Sequence, residues 1–433
     1  MDSGQPAPQY RGQAVLHRRH GPARRGDPPA YRRRRTDGGR VRLSYIIVTH
    51  NRRDALLRTL EILRRTTPLP QSEWETLVVD NGSDDGTPRA VEALFPEVRL
   101  ICLGRNEGVW ARSYAFAPAR GRYVVLLDDD SYPVGDAVVR SMAYLDVRPR
   151  CAAVVGRALL PDGSAEACAM PAVMLSGAVC LRRSVLAEVG PFRREFFRKA
   201  GEYDFSFRIW EAGYTVERFE DIIYRHDKVG AGRNAAFAHR MDIRNNLILV
   251  ERYLPPDLRQ IYHEDWAARY TALAIHAGHA VAARRALLEA RLWRMREALR
   301  GRQTLSEGTI EAVFALRHQA RAVRRWSNVI SGNSVVIADF SKNIYATYRA
   351  CLEAGLTVSA VADNNPAFLG HNYRGVPILA DAEALARPCA GVAVSNVNPA
   401  QIDGVIRRIR CRYDGPILRL WEPRFLGSAA VAA

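Results

Sequence analysis

Apolar runs alternate with stretches of helical spacing from Leu43 onwards. Leucines at 56, 57, 60 and 63 recur every three or four residues, which predicts an amphipathic helix after the first run. Further helices are predicted at 87–95 and 108–119. Four apolar runs predict buried strands: LSYIIVT (43–49), ETLVVD (75–80), VRLICLG (98–104) and RYVVLL (122–127). This alternation predicts a doubly wound, mainly parallel α/β sheet.

The pattern changes twice in the second half of the chain. Residues 256–330 are predicted to be a helical segment. A second strand–helix rhythm begins at SVVIAD (334–339) and predicts a smaller Rossmann-like α/β domain over 331–425. Its first turn reads ADFSKN, without the glycines of a dinucleotide site, so we favour a scaffold or interaction role. The first α/β domain is then predicted to span 43–255.

Charge is unevenly distributed over the 433 residues. The net charge is +17, of which residues 1–42 carry +8 and residues 281–325 carry +7. Residues 1–42 are rich in Arg, Pro and Gly and poor in aliphatic residues, which predicts a disordered basic tail. RRRR at 32–35 could bind nucleic acid or an anionic membrane, but we favour a plain unstructured extension.

An apolar stripe within the second basic segment allows two interpretations. Leu287, Leu288, Leu292, Trp293 and Met295 could face a membrane or a partner helix. We favour the simpler interpretation, in which an ordinary core stripe lies under a solvated, Arg-rich face.

The seven cysteines form no C-x-x-C pair and several lie in apolar runs. This is typical of reduced core thiols, so we expect a cytoplasmic protein, with or without peripheral contact at the inner face of the membrane. No apolar stretch approaches the length of a membrane span, and no secretory signal is predicted.

Acidic residues stand at the ends of the predicted strands. Asp80 ends the second strand, and the fourth runs directly into Asp128, Asp129 and Asp130. In parallel sheets ligands bind beyond the carboxyl ends of the strands. A lone acidic triplet is usually a solvated turn, but here a D-x-D could bind Mg²⁺ or Mn²⁺ and, through it, nucleotide phosphates. Strand alternation predicts that Asp129 points away from this ligand side and tolerates substitution best.

Five segments in order resemble inverting glycosyltransferases of family 2, which have the GT-A fold and use nucleotide-sugar donors. They are VTHNRR (48–53), VVDNGSDDGT (78–87), GRNEGVWARS (104–113), the strand with the three aspartates, and GEYDFSFRIWEAGY (201–214). The resemblance covers about 42–250 and is nearest to bacterial rhamnosyltransferase-like members.

The resemblance implies roles for residues around the nucleotide. Thr49, Asn51 and Asn106 would line its pocket, and Asp80 would accept the N3–H of a uracil- or thymine-type base. Arg112 would approach the diphosphate, unless it is an ordinary surface arginine. Asp128 would touch the ribose or the metal.

The resemblance also implies the metal ligands and the base. Asp128, Asp130 and His226 would hold Mg²⁺ or Mn²⁺, although a lone histidine is usually structural. Glu202 aligns with the family's catalytic base, and Asp204 is the second candidate. An equally good interpretation has Asp204 capping its helix and pairing with Arg208.

The predicted function is therefore metal-dependent, inverting transfer of a sugar from a UDP- or dTDP-sugar to a glycan, lipid-linked or natural-product hydroxyl. One alternative, a sugar-1-phosphate nucleotidyltransferase, would need glycines after the first strand, where THNRRDA has none. Another is a nucleic-acid- or partner-binding protein on an inactive scaffold. Because the arginines are segregated from the sheet motifs and from aromatic residues, no specific nucleic acid is expected.

Overall fold

The computed structural model describes residues 41–228, 230 and 234–427. The predicted basic tail, 1–42, lies outside the described residues apart from its last two positions. No helix in the described ranges is both long and apolar enough to cross a membrane.

The first sheet lies in the N-terminal half of the chain. Within the described residues it has nine strands, in the order β3-β2-β1-β4-β8-β6-β9-β5, with β7 paired to β6. The strands are β1 (Leu43–Thr49), β2 (Trp74–Asp80), β3 (Arg99–Cys102), β4 (Tyr123–Asp128), β5 (Ser131–Pro133), β6 (Cys151–Leu159), β7 (Ala165–Glu166), β8 (Val179–Arg182) and β9 (Thr215–His226).

The half of this sheet that contains β1 to β4 is parallel throughout. The other half is mixed, because β8 runs antiparallel to both β4 and β6. Thr49 lies opposite Asp80, and Val48 lies opposite Asp128. The predicted α/β sheet is confirmed, and the residues that end β1, β2 and β4 meet at one edge.

Five α-helices accompany the first sheet in the described part of the chain. They are α1 (Arg53–Thr66), α2 (Thr87–Leu94), α3 (Ala137–Val147), α4 (Arg183–Val189) and α5 (Gly201–Glu211). The helix predicted over 108–119 is instead a 3₁₀ segment, Gly108–Ala115. The carbonyl of Phe197 accepts from Val109 N and lies so close to Gly108 that a Cβ there would overlap it. This contact replaces a regular first α-helical turn.

A helical layer follows the first sheet, and it begins with α6, before the segment 256–330 that was predicted to be helical. Its helices are α6 (Ala235–Tyr253), α7 (Pro256–His276), α8 (Ala280–Arg300), α9 (Glu307–Phe314) and α10 (Leu316–Ser327). Large aromatic side chains fill its core, among them Trp266, Tyr262 and Phe314.

A second sheet, of six strands among the described residues, lies in the C-terminal region, in the order β12-β13-β11-β10-β14-β15. All its pairings are parallel except β12 with β13. The elements are β10 (Ser334–Ala338), α11 (Ile344–Glu353), β11 (Thr357–Ala362), β12 (Asn372–Tyr373), β13 (Val376–Leu379), α12 (Asp381–Leu385), β14 (Gly391–Val394), α13 (Ile402–Arg410) and β15 (Ile417–Leu418).

The loop after β10 anchors this second sheet to the helical layer. The carbonyl of Lys342 accepts from Trp266 Nε1 at 2.8 Å. Its ammonium donates to Asn246 Oδ1 and lies 3.5 Å from the ring centroid of Tyr203 and 4.3 Å from that of Trp266. The loop after β10 therefore packs against α5, α6 and α7 through Lys342.

The buried Lys342 makes stability depend on pH. Burial lowers its pKa to about 7, from 10.5 for an ordinary lysine. The unfolded chain therefore binds the proton more readily between these values, and stability rises with pH by up to about 1.4 kcal/mol per unit. Lys342→Met has no such group. We therefore expect the unfolding free energy of the native chain, relative to that of Lys342→Met, to increase by about 1–3 kcal/mol between near pH 6.5 and near pH 9.

Urea unfolding of both chains across this pH range measures the effect. A constant gap between the native chain and Lys342→Met would contradict the prediction.

Candidate active site

The aspartate that ends β4, Asp128, pairs with an arginine of the 3₁₀ segment. Arg112 Nη2 donates to Asp128 Oδ1, and the guanidinium is buried. A Cβ at position 177 would lie 3.0 Å from Asp128 Oδ2, so Gly177 leaves room beside this oxygen. The Asp128 side chain is 35% exposed, which makes it the accessible member of the triplet. Arg112 is therefore part of the predicted site, and the surface interpretation is wrong.

The other two aspartates share one guanidinium. Arg52 Nη1 lies 2.9 Å from Asp129 Oδ1, and its Nη2 lies 2.5 Å from Asp130 Oδ2. Thr49 Oγ1 donates to the second oxygen of Asp129 at 2.9 Å. Burial raises the pKa of Asp129 to about 7, against the opposing charge of Arg52. Strand alternation predicted that Asp129 points away from Asp130, which is wrong because the strand ends at Asp128 and a turn follows.

Asp130 is also in contact with His226 at the end of β9. His226 Nε2 lies 3.2 Å from Asp130 Oδ1, and its Nδ1 lies 2.8 Å from Glu166 Oε2. Burial opposes ionisation of Asp130, but the hydrogen bond from His226 and the charge of Arg52 outweigh it and hold its pKa below the usual range. For His226, burial favours the neutral ring, yet Asp130 and Glu166 raise its pKa to about 10.

The predicted metal ligands are not assembled as a metal site. Across the described ranges, no group of three or more His, Cys, Asp or Glu side chains is arranged to hold an ion. The donor chemistry nevertheless fits, because two carboxylates and an imidazole suit Mn²⁺. Glu166 accepting from Nδ1 would keep Nε2 directed at Asp130, as in carboxylate–histidine–metal arrangements. A bound ion would require a neutral His226.

The loops after β1 and β2 are fastened to each other. Asn51 adopts a left-handed backbone (φ 52), its amide donates to Ser83 Oγ at 2.9 Å, and its side-chain oxygen accepts from Asp84 N at 2.9 Å. Asp80 Oδ2 accepts from Ser83 N at 3.1 Å. The other oxygen, Asp80 Oδ1, is buried and has no hydrogen-bond partner among the described residues. It is an acceptor that a bound ligand could satisfy.

Asn106 lies in the loop after β3 and contacts the loop after β2. Its side-chain oxygen accepts from Asn81 Nδ2 at 3.0 Å and from Gly108 N at 2.9 Å. Asn81 directly follows Asp80 in the chain. The contacts made by Asn106 join the loops around the predicted base pocket.

Glu202 lies in the first turn of α5. It contacts Ser176, whose neighbour Gly177 lies beside Asp128. Ser176 Oγ donates to Glu202 Oε1 at 2.8 Å, and Ser176 precedes Gly177. The two residues before α5, Lys199 and Ala200, have left-handed backbones (φ 70 and 60). Asn245 of α6 holds this turn, since its Nδ2 donates to the carbonyls of Arg198 and Lys199 at 2.7 and 2.9 Å. Strained backbone held by its surroundings is typical of functional sites.

Asp204 is buried in a separate network. Its Oδ2 accepts from Arg208 Nη2 at 2.9 Å, and its Oδ1 accepts from Tyr253 OH at 2.7 Å and lies 3.3 Å from Arg193. The side chain is 1% exposed. This environment contradicts Asp204 as a second candidate base, because an acceptor hydroxyl cannot reach it. The predicted pairing with Arg208 is confirmed. The predicted helix cap is wrong, because α5 begins at Gly201 with Ala200 at the N-cap and no capping side chain.

Four residues at the site were missed from the sequence: Arg52, Glu166, Ser176 and Asn245. Arg52 had a signal, since a cation directly after the first strand lies within reach of acids that follow a neighbouring parallel strand. Ser176 and Asn245 lie in segments that resemble the family, LSGAVCLRRSVLAEVGPF (175–192) and RNNLILVERYLPP (244–256), but nothing marked these single residues. Glu166 had no signal, because it lies on a two-residue strand.

Comparisons with known proteins agree with the geometry of this edge. Residues 44–167 match the family model for glycosyl transferase family 2. The uncharacterised glycosyltransferase YwdF of Bacillus subtilis (strain 168) is 36% identical over 95 residues, which cover 21% of this chain and 34% of YwdF. Glycosyltransferase AglE of Haloferax volcanii is 24% identical over 205 residues, which cover 42% of this chain and 66% of AglE.

Among solved structures, the mannosyltransferase PcManGT from Pyrobaculum calidifontis in complex with GDP-Man and Mn²⁺ is 18% identical to this chain. The alignment covers 73% of this chain and 86% of PcManGT, with a TM-score of 0.41. The chain spans about a third of the length of YwdF and less than two thirds of AglE. The chain is therefore similar to glycosyltransferases, and the match to glycosyl transferase family 2 covers residues 44–167, which include the ends of β1, β2 and β4.

Proposed function

We propose that this chain is an inverting glycosyltransferase that uses a nucleoside-diphosphate sugar. The observation that carries the proposal is the edge where β1, β2 and β4 end. There Asp80 and the accessible Asp128 end β2 and β4, the two parallel strands on either side of β1, and one buried Asp80 oxygen has no hydrogen-bond partner among the described residues. Ligands of such sheets bind beyond this edge. The family 2 domain covers the same residues.

The donor's base is proposed to be a uracil or thymine. A buried acceptor without a partner costs about 1–3 kcal/mol, and the N3–H of a pyrimidine imide would satisfy it. Cytosine would instead present an acceptor to the Asp80 carboxylate, which can itself only accept. Asp80 thus favours UDP- or dTDP-sugars.

The diphosphate would be neutralised by the cations that compensate the aspartates. Arg112 is buried and aligned on Asp128, where it can approach the leaving phosphates. A divalent ion would be held by Asp128, Asp130 and His226, with Glu166 orienting the imidazole. When bound, Mg²⁺ or Mn²⁺ would neutralise charge that develops on the leaving diphosphate.

Glu202 is proposed to be the general base. Ser176 binds its Oε1, and this leaves Oε2 to accept the proton of the acceptor hydroxyl. The hydroxyl oxygen forms a bond to the anomeric carbon as the bond from that carbon to the diphosphate oxygen breaks. The electron pair and negative charge leave with the nucleoside diphosphate, and the single displacement inverts the anomeric centre. The acceptor is proposed to be a glycan, a lipid-linked sugar or a natural product.

Calorimetric titration of nucleotides tests the donor assignment. We expect UDP or dTDP to bind at least about tenfold more tightly with Mn²⁺ than with a chelator present, because an ion held by Asp128, Asp130 and His226 would neutralise charge on the diphosphate. Asp80→Asn should weaken binding by roughly tenfold, because an amide N–H would face the N3–H of the base.

Asp84→Asn is the matched control for this titration, since it makes the same change in the same loop at an exposed position. It should bind as the native chain does. Equal affinity for CDP and UDP, or an Asp80→Asn variant with native affinity, would contradict the base assignment. GDP belongs in the panel, because guanine also presents N–H donors.

Two substitutions in α5 test separately the proposed catalytic role of Glu202 and the structural role of Asp204. Glu202→Gln keeps the bond from Ser176 but cannot take a proton, so turnover should fall by about 10²–10⁴-fold with unchanged donor affinity and unfolding midpoint. Asp204→Asn removes the buried carboxylate that the half-buried Arg208 and Arg193 share, and it should lower the free energy of unfolding by about 1–3 kcal/mol.

Turnover of a fluorescently labelled acceptor and urea unfolding measure the two effects. A Glu202→Gln variant with near-native turnover would remove Glu202 from the mechanism. Native stability in Asp204→Asn would show that its ion pairs do not hold the helix in place.

A further inference from the structure

Helix α8 (Ala280–Arg300) uses one face for packing and leaves the other open. Its buried positions are Ala283, Ala286, Ala290 and Glu297, which lie against α6 and α7. Leu287 and Trp293 are half-buried against the same core. The interpretation favoured from the sequence, a core stripe under an Arg-rich face, therefore holds for these two residues only.

The opposite face of α8 is an exposed apolar stripe. It consists of side chains that are 55–89% exposed, namely Val281, Leu288, Leu292, Met295 and Leu299. Their spacing of seven, four, three and four residues places them within an arc of about 60° on an α-helix. Most of the large exposed apolar residues elsewhere in the described chain are isolated, whereas these form one continuous line along 21 residues.

Arginines flank the apolar stripe on both sides. Arg284 and Arg291 follow one edge, and Arg285 and Arg296 follow the other, all of them exposed. The acid at this surface, Glu289, is already paired with Arg240 and Arg285. The surface therefore combines a narrow apolar line with two positive margins.

We propose that α8 binds the surface of an anionic lipid bilayer through this stripe. An amphipathic helix lies in the plane of the membrane with its apolar side chains at the headgroup–acyl boundary, while flanking arginines reach anionic headgroups. A second copy of this chain is a poorer occupant, because pairing two such faces would place arginine margins against arginine margins. The arginines also prevent the helix from spanning the bilayer.

This surface would hold the protein where a lipid-linked acceptor is found. The inference extends the proposed function but does not depend on it, since lipid binding is measured without any sugar donor. A chain that does not bind lipid could still transfer a sugar, and a chain that transfers no sugar could still bind lipid.

Co-sedimentation of the full chain with vesicles tests the proposal. Vesicles of phosphatidylcholine with about 30% phosphatidylglycerol should bind at least about tenfold more tightly than pure phosphatidylcholine at about 50 mM NaCl. Raising the salt to about 500 mM should weaken this binding, because it screens the arginines. Arg291→Gln should reduce affinity by roughly fivefold at low salt.

The double variant Leu288→Glu, Leu292→Glu isolates the stripe. We expect its affinity for anionic vesicles to fall at least about tenfold, with an unchanged unfolding midpoint since both side chains face outward. The matched control, Val329→Glu with Leu352→Glu, makes the same charge change at exposed apolar positions outside α8. It should bind as the native chain does.

Three outcomes would overturn the proposal. The native chain could fail to bind anionic vesicles. The stripe variant could bind as tightly as the native chain, which would assign lipid binding to another basic segment. The native chain could also sediment as a dimer that the stripe variant dissociates, with no difference in vesicle binding. The stripe would then be an interface between copies.

Discussion

Charge compensation of three consecutive aspartates is the constraint on which this site depends. Three carboxylates beside a buried strand repel one another unless cations lie close by. The protein supplies these cations from three distant parts of the chain: Arg52 after β1, Arg112 on the 3₁₀ segment and His226 at the end of β9. These ion pairs connect the loop after β1, the 3₁₀ segment and the end of β9 to the acidic residues at the end of β4.

In the proposed donor site, Asp128 and Asp129 have different environments. Asp128 remains accessible and is held in orientation by a buried arginine, whereas Asp129 ties Thr49 and Arg52 together from inside. A divalent ion would join a set of charges that is already balanced. We therefore expect metal and diphosphate to enter together, since each neutralises the charge that the other brings.

The second sheet contributes to the site through its contacts with the helical layer. Lys342 lies against Tyr203, the neighbour of Glu202, and Asn245 holds the turn that begins α5. The proposed base thus depends on elements from the helical layer and the C-terminal region.

The sequence by itself determined the α/β alternation, the strand ends and the acids placed there, because apolar periodicity and strand-end chemistry are local properties. It also predicted the pairing of Asp204 with Arg208, which the structure confirms, whereas the role of Glu202 as the base stays a prediction. Only the tertiary structure decided the direction of Asp129, the burial of Asp204 and the exposure of Leu288. These features depend on groups far away in the sequence, such as Arg52, Tyr253 and the face of α6. The local sequence pattern does not indicate which distant group will contact a given side chain.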